Sequence, residues 1–294
     1  MVKDTCGREI TLMRLSVTQK CNLNCPYCHK EGEDDKNKGD KEISVSEIKG
    51  IMRAASELGI KKVKITGGEP LLRNDIVEIV KEISKIESIK DISMTTNGFF
   101  TDKFAYDLKN NGLNRVNIGC DSLSSSILPK NIKNVEKGLK SAADAGLNPL
   151  KINMVVLKGI NENEISKMTE ISKKYNAILQ LIELIPTDKI FFDKFFFSLE
   201  GIEKEFERKA SSVFVRDVNF RKQYFVDGAV VEVVRAHLNR NFCKNCRRIR
   251  VTSNGFVKSC LMRNDNLVKI NFNSDEEIMK SLLEGINKRE IYYG

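Results

Sequence analysis

Six of the eight cysteines lie in two groups of three that are far apart in the chain. The groups are Cys21, Cys25 and Cys28, spaced C-x3-C-x2-C, and Cys243, Cys246 and Cys260, spaced C-x2-C-x13-C. Three thiolates suit an iron–sulfur cubane, because one iron is then left without a protein ligand and is open to chemistry. Zinc is the alternative at each group, with His29 or His237 as the fourth ligand.

The overall charge and composition describe a globular chain that leans toward anionic partners. Lys and Arg number 49 against 40 Asp and Glu, which gives a formal net charge of +9. This modest excess favours an anionic partner, either nucleic acid or a small polyanion such as a nucleotide. The alternative is a basic, solvated surface that has no partner. No apolar run approaches the roughly 18 residues of a membrane-spanning helix, and the charged residues 1–9 lack the apolar stretch of a signal peptide. We therefore expect a cytoplasmic protein with no membrane segment, in which thiols stay reduced and bind metal.

Short β-branched segments alternate with helical patterns in the first two thirds of the chain. Strands are predicted at 14–18, 62–66, 91–97, 115–121, 150–156 and 178–184. Helices are predicted between them at 44–58, 74–86, 102–111, 131–145 and 161–175. Ser44 and Glu47 have capping-box spacing at the start of the first helix. Six strand–helix units predict an α/β fold with a parallel sheet, an incomplete (β/α)6 TIM-like barrel rather than a closed eight-unit barrel.

The pattern changes after Pro186. Residues 190–197 (IFFDKFFF) are unusually aromatic and are expected to pack between the barrel and the segment that follows. Short strands are predicted at 213–218, 223–227 and 230–235, with Asp227-Gly228 as a hairpin turn. We predict two domains: residues 1–200, the barrel with the first cluster, and residues 201–294, a cluster-binding region with substrate contacts.

The first cysteine group resembles the signature of the radical S-adenosylmethionine superfamily, carried here by residues 14–28 (RLSVTQKCNLNCPYC). Residues 66–70 (TGGEP) resemble the motif with which that superfamily grips the methionine end of its cofactor. Two glycines at a strand end permit close backbone approach, and the Glu69 carboxylate suits an ammonium group. The resemblance implies a [4Fe–4S] cluster on Cys21, Cys25 and Cys28. It also implies that Tyr27 and Gly68 contact S-adenosylmethionine.

The second cysteine group has two arginines, Arg248 and Arg250, on an extended segment, where both side chains share one face. A Ser253-Asn254-Gly255 turn then directs Cys260 back toward the other two thiols. This arrangement is similar to that of the GTP 3′,8-cyclases, and the likeness runs from about residue 5 to residue 262. It implies a second [4Fe–4S] cluster on Cys243, Cys246 and Cys260, whose open iron holds guanine.

The same resemblance implies an activity. S-adenosylmethionine is cleaved to methionine and a 5′-deoxyadenosyl radical, which takes the hydrogen from C3′ of GTP, and C3′ then bonds to C8 of guanine. The product is (8S)-3′,8-cyclo-7,8-dihydroguanosine 5′-triphosphate, formed in the first step of molybdenum cofactor biosynthesis. The implied triphosphate contacts are Arg14, Lys64, Thr95, Lys151, Arg248 and Arg250. The implied partners are a reduced flavodoxin or ferredoxin and the cyclic pyranopterin monophosphate synthase, with the enzyme itself a monomer or homodimer.

Some positions depart from the family pattern. Gly119 stands where many relatives have a serine that touches the cofactor, so that contact is not expected here. Gln180 replaces an arginine, and Ile185 replaces a cofactor-contacting methionine. The chain ends in Tyr293-Gly294 where the family often ends in Gly-Gly. The remaining cysteines, Cys6 and Cys120, match no motif and are read as ordinary thiols.

Two other functions compete with this interpretation. A radical S-adenosylmethionine enzyme that acts on a peptide shares the first group and uses the second cluster for a protein substrate. A basic, zinc-stabilised nucleic-acid-binding protein uses both groups as zinc sites. The positive charge forms no dense stripe, and a binding protein leaves the TGGEP motif unexplained, so we expect no nucleic-acid partner.

Overall fold

The computed structural model describes residues 1–33, 41–123, 128–237 and 239–292. Parallel strands form its centre, each beside the next in chain order. They are β1 (Leu12–Ser16), β2 (Lys62–Thr66), β3 (Asp91–Thr96), β4 (Arg115–Gly119), β5 (Lys151–Val156) and β6 (Ile178–Glu183). The six strands predicted from the sequence are confirmed, because no end differs by more than two residues.

A helix lies between each pair of consecutive strands. They are α1 (Val45–Glu57), α2 (Ile76–Ser84), α3 (Thr101–Asn110), α4 (Ile132–Asp144) and α5 (Ile165–Lys174). The predicted capping box is confirmed: Ser44 Oγ accepts from the Glu47 amide at 3.3 Å, and the Glu47 carboxylate accepts from the Ser44 amide at 2.6 Å. These bonds satisfy amides that the first turn of a helix otherwise leaves unpaired.

The rest of the chain extends the same sheet at both edges. It contains α6 (Lys189–Phe195), α7 (Glu200–Lys209), β7 (Ser212–Val215), β8 (Lys222–Val226), β9 (Ala229–Val234), α8 (Arg240–Lys244), β10 (Arg248–Val251), β11 (Phe256–Lys258), β12 (Val268–Lys269) and α9 (Asp275–Asn287). The described strands form one sheet in the order β12-β11-β10-β1-β2-β3-β4-β5-β6-β9-β8-β7. Strand β10 runs parallel to β1, and β9 runs parallel to β6. The predicted division at residue 200 stays a prediction.

Two local features after residue 186 agree with the sequence. Asp227 and Gly228 have φ angles of 49° and 78°, the left-handed values that a tight hairpin turn between β8 and β9 requires. The aromatic segment forms α6, whose phenylalanines pack against Leu157, Leu184 and Tyr27 of the barrel. Two of these rings also meet His237, at centroid distances of 4.8 and 6.0 Å. The segment therefore packs between the barrel and the chain that follows, as predicted.

The two faces of the parallel sheet differ in chemistry because side chains alternate along each strand. One face is apolar, and its side chains, such as Met13, Ile65, Met94 and Leu181, are fully buried in the main core with residues of the helices. Each such side chain contributes roughly 1.5–3 kcal/mol when buried. The opposite, inner face carries charged and amide groups. No helix in the described ranges has the length and apolar character needed to cross a membrane.

Candidate active site

The first cysteine group lies on the loop that follows β1, at the carboxyl ends of the parallel strands. Cys21 and Cys28 are exposed and Cys25 is half-buried, and all three are free thiols. The amides of Leu23 and Lys30 point at the sulfurs of Cys21 and Cys28, each at 3.4 Å. Amides directed at sulfur are typical of iron–sulfur ligands, so the donor set fits a cluster.

The TGGEP motif packs directly against this loop. The Gly68 amide donates to Thr18 O at 2.7 Å, and the Glu69 amide donates to Lys20 O at 2.8 Å. A Cβ at Gly68 would lie 2.6 Å from the carbonyl oxygen of Gln19, so only glycine fits there. The close approach that the two glycines permit is therefore to the cysteine loop itself.

The carboxylate of Glu69 is fully buried and anchors the strand ends. It accepts from Thr96 Oγ1 and from the Asn97 amide, both at 2.7 Å, and from the Leu71 amide at 3.1 Å. Burial raises the pKa of Glu69, although these hydrogen bonds oppose the shift. Both oxygens are thus already paired with donors of the chain.

Tyr27, between two of the cysteines, points into the protein rather than into solvent. Its hydroxyl donates to Asp121 Oδ2 at 2.5 Å, and Lys130 Nζ lies 2.9 Å from the same oxygen and 5.0 Å from the centre of the tyrosine ring. Burial and the Asp121 charge raise the pKa of Tyr27, so the phenol stays a neutral donor. This contact fixes the cysteine loop to the end of β4.

The second cysteine group lies at the opposite ends of the parallel strands, where β1 and β10 begin. Cys243 is on α8, Cys246 precedes β10, and the β10–β11 hairpin returns the chain to Cys260. Gly255, at φ 81°, forms the predicted turn. Because β10 runs parallel to β1, the two cysteine groups lie beyond opposite ends of β1, a strand of five residues that is roughly 16 Å long.

Electrostatics act in opposite directions on two thiols of this second group: they favour the neutral thiol at Cys243 and the thiolate at Cys246. Burial raises the pKa of Cys243, and the Cys260 and Cys246 charges raise it further. Burial also acts on Cys246, but the Arg289 and Arg248 charges outweigh it and lower its pKa to about 7. Within the described residues, no three His, Cys, Asp or Glu side chains converge on one point as single-ion ligands do. A cubane binds its thiolates through different irons, so the three cysteines fit it without such convergence.

Neither histidine proposed as a zinc ligand is placed as one. Nδ1 of His29 accepts from the Glu31 amide at 3.0 Å, and burial lowers the pKa of His29 to about 4. His237 packs against the rings of Phe192 and Phe196. The zinc interpretation thus gains no fourth ligand from either residue.

Cations of neighbouring strands line the inner face between the two cysteine groups. Arg14 of β1 is in register with Arg250 of β10 on one side and with Lys64 of β2 on the other. Residues in register present their side chains to the same face, so these three cations share one wall. The structure therefore brings together three of the cations predicted to contact triphosphate.

Lys64 has little compensation for its charge. It is 9% exposed, and Nζ donates to the neutral Asn117 Oδ1 at 3.0 Å. Burial lowers the pKa of Lys64 well below 10.5, and the neighbouring charges that act most strongly on it are all cations, including Arg115 and Arg14. A buried lysine surrounded by like charge is suited to an anion that enters from outside.

Glu31, which the sequence did not single out, occupies the centre of this wall. Its carboxylate accepts from Arg14, from Arg250 Nη1 at 2.7 Å and from Thr66 Oγ1 at 2.9 Å. Burial opposes ionisation, but Arg14 and Arg250 dominate and hold the pKa of Glu31 well below its usual value. The carboxylate thus takes the donors that the sequence assigned to a phosphate. No local pattern marks Glu31, because its partners are far away in the chain.

A second carboxylate, Glu232, organises the cations on the other side. It is fully buried and lies 2.6 Å from Lys151 Nζ, 2.8 Å from Arg221 and 3.1 Å from Arg216. Gln180 donates to it at 2.7 Å. Burial lowers the pKa of Lys151 to about 8, which outweighs the opposite pull of Glu232. A lone charge in an apolar strand, VVEVV, was a signal that sequence reasoning missed.

The remaining predicted contacts lie on the same inner face. Arg248 donates to Asn219 Oδ1 and stacks 5.7 Å from the centre of the Phe242 ring, and Thr95 is half-buried on β3. A cavity of about 310 Å³ lies beside this face: Asn219, Arg221 and Phe242 line one part of it, and Glu203 and Glu207 of α7 line another. In the described part of the chain, the inner-face cations named so far outnumber Glu31 and Glu232. These cations are Arg14, Lys64, Lys151, Arg216, Arg221, Arg248 and Arg250.

Known proteins resemble the chain over its whole length. The family model of the Radical SAM superfamily matches residues 15–171, and that of Molybdenum Cofactor Synthesis C matches residues 177–293. A probable GTP 3′,8-cyclase of Archaeoglobus fulgidus is 43% identical, with 100% of this chain and 99% of that protein aligned. The chain belongs to the GTP 3′,8-cyclase family of radical S-adenosylmethionine proteins. Another such relative, from Pyrococcus abyssi, is 42% identical over 100% of both chains.

Membership of the superfamily implies S-adenosylmethionine and one [4Fe–4S] cluster. Solved structures with low sequence identity share the fold alone. SuiB of Streptococcus suis, bound to the precursor peptide SuiA, gives a TM-score of 0.71 at 16% identity, over 95% of this chain and 67% of that one. AnSMEcpe with bound AdoMet gives 0.63 at 16% identity, over 96% and 81%. The predicted partial TIM-like barrel is thereby confirmed.

Proposed function

We propose that this chain converts GTP to (8S)-3′,8-cyclo-7,8-dihydroguanosine 5′-triphosphate, with methionine and 5′-deoxyadenosine as co-products, in the first step of molybdenum cofactor biosynthesis. The observation that carries the proposal is the row of buried and half-buried cations between two cysteine groups. A triphosphate requires several cations. A nucleotide bound along this wall has one cysteine group toward each of its ends.

Cys21, Cys25 and Cys28 hold the first cluster in this proposal, and Tyr27 and Gly68 contact the cofactor. The bound cluster and S-adenosylmethionine supply the one-electron chemistry that removes a hydrogen atom from the ribose of GTP. The chain's own contribution is to fix the cysteine loop. Gly68 packs against its backbone, and Tyr27 ties it to Asp121.

Cys243, Cys246 and Cys260 hold a second [4Fe–4S] cluster, whose open iron orients guanine. The donor set is the same as in the first group: three free thiols without a fourth histidine in place. Because this group lies roughly one strand length from the first, guanine and the ribose carbon can be held at separate ends of the cationic wall.

Arg14, Lys64, Thr95, Lys151, Arg248 and Arg250 bind the triphosphate in this proposal. A phosphate that enters between Arg14 and Arg250 competes with the Glu31 carboxylate for the same donors. Glu232 keeps Lys151 oriented while substrate is absent. Lys151 is therefore already positioned when substrate arrives, whereas Arg14 and Arg250 must exchange Glu31 for phosphate.

The partners follow from the reaction class. A reduced flavodoxin or ferredoxin supplies two electrons, one to cleave S-adenosylmethionine and one that, with a proton, completes the dihydro nucleotide. Cyclic pyranopterin monophosphate synthase consumes the product. We expect a monomer or homodimer. The free thiols suit the reducing environment of the cytoplasm.

Anaerobic turnover tests this function directly. Reconstituted protein is incubated with S-adenosylmethionine and a reductant, with or without GTP, and 5′-deoxyadenosine and the cyclic nucleotide are quantified. We expect both products to depend on GTP. Formation of 5′-deoxyadenosine that ignores GTP and responds to a peptide would favour the peptide-modifying alternative.

A further inference from the structure

A single buried carboxylate near the start of the chain holds two arginines from opposite ends of the sequence. Asp4 is 5% exposed, and its Oδ2 accepts from Arg8 Nε at 2.7 Å and from Arg289 Nε at 2.9 Å. Burial opposes ionisation of Asp4, but the two arginines and the backbone donors lower its pKa. Arg289, which follows α9, is only 4% exposed.

Both arginines also donate to the backbone of the second cysteine group, and Arg8 Nη2 donates to Glu290 O at 2.8 Å. Arg8 Nη1 donates to Cys243 O at 2.9 Å, and Arg289 Nη2 donates to Cys246 O at 2.7 Å. Arg289 Nη1 donates to Ser259 O, directly before Cys260, at 3.2 Å. Each of the three cysteines is thereby held at its own carbonyl or at the one before it.

This part of the chain needs such support because little secondary structure holds it. Cys243 is on α8, which has five residues and is too short to be stable alone. Cys246 and Cys260 lie outside the helices and strands. Groups that hydrogen-bond to the ligands of a metal commonly fix the geometry of its site. Net charge near an iron–sulfur cluster also affects the reduction potential of the cluster.

We propose that Asp4, Arg8 and Arg289 form a positioning clamp that holds the second cysteine group in the arrangement its cluster requires. This inference rests on the second cluster of the proposed function. The clamp joins the N-terminal segment, the chain after α9 and all three cysteines. It acts on the ligands through their backbone carbonyls and, at Cys246, also through the charge of Arg289 beside the thiol.

The test uses the full-length, anaerobically reconstituted enzyme and the variants Arg8→Ala and Arg289→Ala. Wild type is expected to bind about eight irons per chain, as two cubanes. Each variant is expected to lose up to half of this iron. The change that S-adenosylmethionine causes in the electron paramagnetic resonance spectrum remains, and the change that GTP causes is lost. Arg289→Lys, which restores charge but only part of the hydrogen bonding, is expected to fall between.

Arg263→Ala is the matched control. Arg263 lies close to Cys260 in the chain. Its guanidinium, however, pairs with the carboxylates of Asp265 and Glu290 and not with the backbone of the cysteines. We expect it to keep the iron content and both spectral changes. If Arg289→Ala fails to fold by circular dichroism, Arg8→Ala decides the question.

The outcomes separate the clamp from the function on which it rests. Wild type with only about four irons and no response to GTP overturns both the second cluster and the clamp. Wild type with about eight irons, and folded variants with the same iron content, spectra and rate of iron loss to a chelator, overturns the clamp alone.

Discussion

Replacing Lys64 by methionine is expected to weaken GTP binding without destabilising the fold. The ammonium group is buried, its partner Asn117 is a neutral amide, and like charges such as Arg14 lie around it. Methionine has a similar volume and removes the charge. GTP binding is therefore expected to weaken while the fold is not destabilised. A substitution that acts only by disturbing the structure rarely gives this combination.

The magnitudes follow from these contacts. Replacing a poorly compensated buried charge by an apolar side chain stabilises a fold by roughly 1–4 kcal/mol. Asn117 Oδ1 loses one donor, which costs about 1 kcal/mol. The net change in the free energy of unfolding lies between about zero and +3 kcal/mol. A charge-assisted hydrogen bond to phosphate contributes about 1.5–3 kcal/mol, so GTP binding weakens roughly 10- to 150-fold.

The assay measures GTP binding by equilibrium dialysis and thermal unfolding on the same reconstituted preparations. Lys62→Met is the control, since Lys62 is exposed on the same strand and is expected to change stability by less than about 0.5 kcal/mol. A Lys64→Met protein that binds GTP as tightly as wild type refutes the anion site. A Tm that falls by several degrees refutes the reasoning about uncompensated charge.

Three further predictions concern the cysteine loop and the second carboxylate. Gly68→Ala forces a methyl group into the backbone of the first cysteine loop and is expected to destabilise by about 1–3 kcal/mol in denaturant unfolding, with loss of iron. Gly201→Ala, with nothing within 4 Å of the added methyl, serves as its control and is expected to be neutral, so equal effects would contradict the packing argument. Tyr27→Phe removes the bond to Asp121 and is expected to cost about 1–2 kcal/mol, and an unchanged Tm would show that the bond does not stabilise the loop. Burial lowers the pKa of Lys151 from 10.5 to about 8, so between pH 8 and 10.5 the unfolded chain binds more protons than the folded chain. The free energy of unfolding of wild type, relative to that of Lys151→Met, is therefore expected to rise from pH 8 to 10.5. A decrease over this range would contradict the sign of the shift.

Local chemistry made much of the fold predictable. The capping box at Ser44 and Glu47 and the turn at Asp227 depend on neighbours within a few residues, so short patterns identify them. The alternation of β-branched and helical segments predicted the six strands, and the spacing of the two sets of cysteines was enough to propose them as cluster ligands. Each of these signals is complete within a short stretch of sequence.

The hydrogen-bond and ion-pair partners of the site residues could not be predicted from the sequence, because they depend on the register between strands that are distant in the chain. Arg250 meets Arg14 and Glu31 only because β10 adds to the sheet beside β1. Glu232 meets Lys151 because β9 adds beside β6. A change of register by one residue turns every side chain to the other face, so composition and spacing cannot decide these pairs. Tyr293-Gly294, the unusual end of the chain, lies outside the described residues.

The central claim is that two cubanes, each held by three cysteines, face one nucleotide across the cationic wall. The most direct measurement is the iron content and GTP binding of anaerobically reconstituted wild type beside Cys243→Ser. Wild type is expected to contain about eight irons per chain and to bind GTP, whereas the variant keeps about four and binds GTP far more weakly. Equal iron content and equal GTP affinity in the two proteins would contradict the account.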